Sequence, residues 1–135
     1  MRRIPPDMPV ITLRQPWAAL VALGHKTIET RSHNRFKCLV GKRIAIHAGQ
    51  GYDRAGKDVA AQHMTQRQLS ALDSGAIIAT AYVSDARDLH ARDERQALIE
   101  CSTPRFGLIL TNIQRIKPIA AKGKLGIWYP SRQYA

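Results

Sequence analysis

Residues 13–32 have the sequence LRQPWAALVALGHKTIETRS, which predicts the end of a strand, a short helix and a second strand in close succession. The preceding residues 10–13 are rich in β-forming side chains, and Pro16 suits the first position of a helix. Apolar side chains then recur at helical spacing, at Trp17, Leu20 and Val21. Gly24 is a natural end for this helix, which spans only about two turns and therefore needs a packing partner.

The second strand of this stretch, residues 27–31, places most of its polar side chains on one face. Because successive side chains of a strand point to opposite faces, Thr27, Glu29 and Arg31 share one face. Ile28 and Thr30 share the other. A strand face that carries a carboxylate and a guanidinium predicts either a polar site or a local ion pair.

The rest of the chain predicts an α+β domain. Further strands are expected at residues 43–48, 76–83, 106–111 (extended or bent by 113–116) and 123–129. Residues 53–73 are helical in composition, and a capping box of Thr65 with Gln68 divides them into two helices. Residues 84–104 are polar and predict a loop with a short helix near residues 92–100. Five or six short strands with three or four short helices favour a small curled sheet or barrel over a βαβ array.

The composition is that of one folded domain. The 135 residues are 44% hydrophobic, which excludes a disordered tail and allows residues 1–135 to bury a single core. No apolar run approaches the roughly 18 residues of a membrane-spanning helix, and the N-terminus lacks the apolar stretch of a signal peptide. Cys38 and Cys101 form no CxxC motif, which favours a reduced, cytoplasmic compartment.

Positive charge is concentrated at the two ends of the chain. Lys and Arg number 21 against 10 Asp and Glu, which gives a net charge of +11. Residues 1–51 carry a net +7 and residues 104–135 a net +6, whereas residues 52–103 carry a net −2. If the first and last strands lie side by side, this charge forms one basic face. Such a face favours a polyanionic partner, most commonly nucleic acid, although the charge alone leaves solvated charge and an anionic lipid surface open.

The densest group of polar residues lies between Arg14 and Arg31. Lys26, Glu29 and Arg31 are close in sequence, beside a helix N-terminus that favours anions, and this set suits a phosphate or the edge of a base. The alternative is an ion pair of Glu29 with Arg31 or Lys26. Trp17 is expected on the apolar stripe of the helix, where it either packs in the core or offers a stacking surface to a base.

No other pattern indicates a metal or a cofactor. The histidines have no metal-ligand spacing with an acidic or cysteine partner: His25, His33, His47, His63 and His90. The chain has neither a GxGxxG nor a P-loop motif, and no local motif supports a Cys–His nucleophile. His47 lies at a strand end on the face opposite Ile44 and Ile46, and it is a candidate for lining a cleft.

Two blocks of the sequence resemble the signature of the ASCH domain family: LRQPWAAL at residues 13–20 and GHKTIETRS at residues 24–32. The resemblance continues in order over nearly the whole chain, through residues 41–48, 75–83, 107–110 and 122–128. The QPW start is most similar to ASCH domains of the activating signal cointegrator type. This resemblance implies that residues 1–135 form a single PUA-like β-barrel of mixed strands, with a cleft between the first helix and residues 26–31.

The resemblance also implies a partner, since the family is thought to bind RNA or DNA in this cleft. The charge pattern agrees with it. The predicted nucleic-acid contacts are Arg14, Gln15, Trp17, Lys26, Glu29, Arg31, Ser32 and His47. Basic side chains would meet phosphates or base edges, polar ones would recognise base groups, and the tryptophan would form a wall. We therefore expect a nucleic-acid-binding protein, with a role in transcription or RNA-related regulation, that uses no cofactor, metal or membrane.

The resemblance carries a second, enzymatic possibility. Some small bacterial members are amidohydrolases that deacetylate acetylcytidine, and ribonuclease activity has been proposed for others. The amidohydrolases keep the lysine that matches Lys26 but have a threonine nucleophile where this chain has Glu29, and a carboxylate cannot act as a hydroxyl nucleophile. Glu29 acting as a general base beside Lys26 defines the alternative function, a hydrolase of RNA or of a modified nucleoside. Glu29 accepting a hydrogen bond from a base amino group is compatible with binding alone.

Overall fold

One mixed sheet organises the protein, whose computed structural model describes residues 4–99 and 105–130. In these residues the strands are β1 (Val10–Gln15), β2 (Ile28–Arg31), β3 (Arg43–Tyr52), β4 (Ala76–Asp88) and β5 (Phe106–Ala120). Their order in the sheet is β1-β3-β4-β5-β2, with β1 parallel to β3 and every other neighbouring pair antiparallel. The predicted α+β class with mixed strands is confirmed.

The sheet is open, so the prediction of a closed barrel is wrong. Strands β1 and β2 are its two edges and form no ladder with each other. Side chains lie between them: Nη2 of Arg31, on β2, reaches to 3.5 Å from the carbonyl oxygen of Thr12, on β1. Because a charged side chain occupies this space, the two backbones cannot approach to the roughly 4.8 Å spacing of a ladder.

Strands β4 and β5 are longer than predicted and pair with each other along most of their length. β4 continues to Asp88, into the segment that was expected to be a loop, and β5 continues past Pro118 to Ala120. The register shifts between Ile77 and Ala79, close to the proline, which relieves the ladder of the hydrogen bond that proline cannot donate. The expected strand at residues 123–129 is wrong, apart from one antiparallel bridge between Val10 and Trp128.

The described helices are short: α1 (Trp17–Ala22), α2 (Lys57–His63), α3 (Gln66–Ser70) and α4 (Glu94–Ala97). The division of residues 53–73 is confirmed, and both hydrogen bonds of the Thr65–Gln68 capping box are present at the start of α3. The helix expected near residues 92–100 is a 3-10 turn followed by α4; residue 100 and Cys101 lie outside the described residues. No helix in the described ranges is long and apolar enough to cross a membrane.

Both faces of the sheet are covered near β3. On one face Ile44 and Ile46 of β3 pack in the same core cluster as Ala18 and Val21 of α1. On the other face Ala45 packs in a cluster with Val10, Ile77, Ile4 and Trp128. The segment around Trp128 therefore covers the face of β3 on which His47 was expected to line a cleft.

His47 lies in this covered face and is 1% exposed. Its Nε2 must donate to the carbonyl oxygen of Ala121, 2.7 Å away, because a carbonyl only accepts. In the neutral ring Nδ1 then accepts from the hydroxyl of Thr12, at 3.2 Å, and that hydroxyl oxygen accepts in turn from the indole N–H of Trp128 at 3.0 Å. This chain of hydrogen bonds fastens the C-terminal segment to β1 and β3.

The neutral form of His47 predicts a loss of stability in acid. Burial lowers the pKa of His47 below its ordinary 6.5, against the opposing effect of the bond to the Ala121 carbonyl. The unfolded chain therefore binds this proton more readily than the folded protein does. The contribution of His47 to the free energy of unfolding is full above about pH 6.5 and decreases as the pH falls below that value. Urea unfolding at pH 7.5 and 5.5 should show a decrease in the free energy of unfolding of at most about 1.4 kcal/mol per pH unit from this group.

The matched variant is His47→Gln, whose side-chain amide keeps a donor for the Ala121 carbonyl but does not titrate. We expect a shallower pH dependence in this variant than in the wild type, because the variant lacks the buried imidazole of His47. Equal slopes in the two proteins would contradict a neutral, buried His47.

Candidate functional site

A cavity of about 340 Å³ lies between the two edge strands of the sheet. Residues 12–14 of β1 and residues 29–31 of β2 form opposite walls, and Trp17, Lys26, Asp53, Ala55, Ile99 and Arg105 complete the lining. The open edge of the sheet therefore creates this cavity, which we call the edge cavity.

The structure brings five of the eight predicted site residues together in the edge cavity. They are Arg14, Trp17, Lys26, Glu29 and Arg31. Ser32 is exposed just beyond β2, Gln15 faces a different cavity, and His47 is buried under the C-terminal segment, so these three do not line it.

Positive charge exceeds negative charge among the described residues of the edge cavity. Arg14, Lys26, Arg31 and Arg105 are cationic, whereas Glu29 and Asp53 are the carboxylates. A concave surface with this balance attracts anions, because low-dielectric walls concentrate the field of the charges that line them.

Lys26 is buried to 1% exposure, yet it belongs to the lining of the edge cavity. Its ammonium donates a hydrogen bond to the carbonyl of Ala97, the last residue of α4. The same ammonium lies 5.1 Å from the centre of the Trp17 ring, within the range of a cation–π contact. Lys26 is thus held in place by α4 and α1 while it contributes charge to the cavity.

Glu29 and Arg31 lie two residues apart on β2 and form an ion pair, with Arg31 Nε 3.3 Å from Glu29 Oε2. This outcome matches one of the two pairings expected from the sequence, but the pair is set into a cavity instead of lying on an open surface. The Arg31 Nε–H is buried and not aligned for a hydrogen bond to any acceptor in the described part of the chain. The guanidinium also stacks over Phe36, 4.8 Å from the ring centre.

Arg14 and Gln15 are neighbours with different roles. Arg14 is exposed at the cavity rim, where its Nη2 donates to the Tyr52 carbonyl at 3.2 Å. Gln15 is buried, and its amide oxygen accepts from the backbone N–H of Ala19 at 2.9 Å while its Nε2 donates to the Asp73 carbonyl at 2.8 Å. Gln15 therefore ties the first turn of α1 to the loop before β4, which fixes the helix that carries Trp17.

Trp17 forms part of the cavity wall and is held by Asp53. Its indole N–H donates to Asp53 Oδ2 at 2.9 Å, and Asp53 Oδ1 accepts from the backbone N–H of Ala55 at 3.0 Å. These two hydrogen bonds lower the pKa of the Asp53 carboxyl and keep it ionised. Behind the ring, Gly56 leaves room for Pro16, since a Cβ there would come within 2.9 Å of two proline ring carbons.

Asp53 and Arg105 are site residues that the sequence did not reveal. Both are far in sequence from residues 14–31 and reach the edge cavity only through the fold. The Nε–H of Arg105 is buried and has no hydrogen-bond partner in the described part of the chain. The absence of acidic residues from 104 to 135 was the only signal pointing toward Arg105.

Within residues 4–99 and 105–130, no group of three or more His, Cys, Asp and Glu side chains could hold a metal ion. What the edge cavity offers is a set of fixed cations, two buried guanidinium N–H donors, one ring and a carboxylate acceptor. Such a set recognises an anionic group attached to an apolar or aromatic body.

Comparison with known proteins shows the fold of this chain. No family model matches the sequence, and no curated protein matches it. The crystal structure of ASCH from Zymomonas mobilis superposes with a TM-score of 0.62 at 17% identity, over 96% of this chain and 92% of that one. Two mutant structures of the same protein give TM-scores of 0.60 at 18% and 16% identity, over 97% and 95% of this chain and 94% and 93% of theirs. The chain therefore has the fold of an ASCH domain.

The hydrogen bonds around Asp53 predict that this residue fixes the Trp17 wall. Asp53→Ala should lower the free energy of unfolding by about 1–2 kcal/mol, because the buried side of the indole loses its acceptor. The tryptophan emission, which is the sum of Trp17 and Trp128, should shift to longer wavelength as the Trp17 ring becomes mobile and hydrated. The control is Asp7→Ala, which removes an exposed carboxylate elsewhere. An emission spectrum unchanged by Asp53→Ala would contradict this role.

Proposed function

We propose that this protein, which has the ASCH-domain fold, belongs to that family and binds nucleic acid, RNA or DNA, in the edge cavity. The observation that carries the proposal is the lining of that cavity, in which four cations face two carboxylates. Two buried guanidinium Nε–H groups there, those of Arg31 and Arg105, have no aligned hydrogen-bond acceptor in the described part of the chain, although Arg31 is ion-paired with Glu29. A buried donor without a partner is costly, and a phosphate oxygen supplies the acceptor that each one lacks.

Each part of a nucleotide finds a suitable group in the edge cavity. The guanidinium groups of Arg14, Arg31 and Arg105 suit phosphate oxygens, which they contact with paired N–H donors. The Trp17 ring offers an apolar wall to a base or sugar. Glu29 supplies an acceptor for a base amino group, a contact that would distinguish one base from another.

The wider role follows from the sequence. The QPW start supports placing the protein with the activating signal cointegrator type of ASCH domain, and hence in transcription or RNA-related regulation. The two cysteines without a CxxC motif support a cytoplasmic location.

Binding by phosphate contacts predicts a strong dependence on salt. Fluorescence anisotropy with labelled single- and double-stranded RNA and DNA should give micromolar or tighter dissociation constants at low salt for at least one of the four. The logarithm of the affinity should fall linearly with the logarithm of the salt concentration, because each neutralised phosphate releases counterions. Absence of binding to all four at low salt would refute the proposed function.

The edge cavity is tested by Arg14→Ala combined with Arg31→Ala. Loss of two phosphate contacts should flatten the salt slope by about 1.4 on single strands. The control, Lys57→Ala with Lys117→Ala, removes two exposed cations that line no part of the edge cavity. Because Arg31→Ala leaves Glu29 without its ion pair, Arg14→Ala alone serves as a variant that preserves the cavity. Equal slopes in the test and control proteins would place the binding surface elsewhere.

Hydrolysis remains the second candidate, because Lys26 and Glu29 line the same cavity. The ion pair with Arg31 engages the Glu29 carboxylate, whereas Lys26 is well placed to stabilise an oxyanion. Glu29→Gln distinguishes the two functions. If the protein is an enzyme, this variant should abolish cleavage of RNA or acetylcytidine, as measured by chromatography. If it only binds, no turnover is seen in either protein and the affinity changes only modestly.

A further inference from the structure

A second cavity, of about 420 Å³, adjoins the edge cavity on the far side of Arg31. The 3-10 turn Arg35–Leu39, the end of β4 and the start of β5 surround it. We call it the turn cavity. Arg31 lines both cavities, so its side chain forms part of the wall between them.

The turn cavity combines aromatic rings with positive charge. The rings of His33 and Phe106 are partly exposed, and Phe36 lies beneath the Arg31 guanidinium. His33 packs edge-on against Phe36, with ring centres 5.2 Å apart. Lys37 is an exposed cation of the turn. Rings beside cations are the combination that proteins use to hold unpaired bases and their phosphates.

The charges of the turn cavity favour an anion despite one carboxylate in its lining. Arg87 is neutralised locally, because it makes a two-point hydrogen bond to Asp93 at 2.8 and 3.0 Å. Asp88 opposes Arg31 and Lys37 in the lining. Loss of hydration and, to a lesser degree, the charges of Arg35 and Arg31 lower the pKa of His33.

The position of Arg31 links the two cavities chemically. Its guanidinium stacks on Phe36 of the turn cavity, while its Nε–H faces Glu29 in the edge cavity and has no aligned hydrogen-bond acceptor in the described part of the chain. A phosphodiester carries one negative charge between two nucleosides. A cation between two cavities can therefore pair with the phosphodiester while each cavity holds one of the two nucleosides.

We propose that the two cavities bind consecutive unpaired nucleotides of a single strand, one nucleoside in each, with the connecting phosphodiester at Arg31. This inference rests on the proposed function and extends it. Paired bases are excluded from this mode, since a base in a duplex is stacked and its edge is engaged, whereas an unstacked base can enter a cavity. The surface thus selects single-stranded segments of RNA or DNA over duplexes.

The test compares a mononucleotide with a dinucleotide on the full-length protein. The probes are uridine 5′-monophosphate and pUpU, with dTMP and pdTpdT as the DNA pair. Binding is followed by NMR, with the His33 ring signal assigned through His33→Gln. We expect the dinucleotide to bind about tenfold more tightly, the gain expected from stacking one more base on an aromatic ring. The His33 signal should shift with the dinucleotide and stay in place with the mononucleotide.

Two variants of the turn cavity should remove this gain and leave mononucleotide affinity unchanged: Phe106→Ala and Lys37→Ala. Lys37 is exposed, so its variant stays informative if Phe106→Ala fails to fold. The matched control is Lys117→Ala, an exposed lysine of β5 that lines neither cavity. A similar loss in the control would overturn the proposal.

The outcomes separate this inference from the proposed function. Equal affinity for mono- and dinucleotide, with no effect of either turn-cavity variant, would overturn the two-cavity proposal and leave nucleic-acid binding in the edge cavity intact. A duplex that binds as tightly as the single strand would also overturn it. If neither these probes nor longer oligonucleotides bind, the proposed function fails and the inference fails with it.

Discussion

The buried ammonium of Lys26 is the constraint on which the arrangement of the site depends. A charge at 1% exposure is costly unless polar groups replace its water, and that requirement fixes several elements at once. The last carbonyl of α4 accepts its hydrogen bond, and the Trp17 face of α1 lies 5.1 Å from it. Trp17 is in turn fixed by Asp53, and α1 by Gln15. These contacts join Lys26, α4 and the Trp17 ring of α1 in one wall of the edge cavity.

The second feature that forms the edge cavity is the open sheet. If β1 and β2 closed into a ladder, their backbones would fill the space that Arg14, Glu29 and Arg31 now line. The ion pair on β2 and the reach of Arg31 toward the Thr12 carbonyl keep the edges apart. Edge strands usually need protection from pairing with other chains, and here charged side chains and the bridge to Trp128 provide it. The open edge that leaves the sheet unclosed therefore also forms the edge cavity.

Local sequence patterns predicted many of the helices and strands, but not which of them pair or pack against each other. The helical spacing after Pro16 and the capping box at Thr65 correctly indicated α1 and α3, because both depend on nearby residues. The ends of β4 and β5 were missed, since polar residues 84–88 and Pro118 read locally as a loop, while long-range pairing between the two strands keeps them extended. His47 was expected in a cleft because its face of β3 is opposite Ile44 and Ile46, and only the fold shows that the C-terminal segment covers that face. Asp53 and Arg105 likewise enter the site through tertiary structure alone.

The proposed function places nucleic acid between β1 and β2. Its most direct test is a backbone amide NMR titration of the ¹⁵N-labelled protein with a short single-stranded oligonucleotide. We expect the largest shift changes in the walls of the edge cavity, at residues 12–15, 17, 26–31, 53–55 and 105, and no change in β3 and α3. Shifts of equal size on the opposite face of the sheet, around Trp128, or none at saturating oligonucleotide, would contradict it.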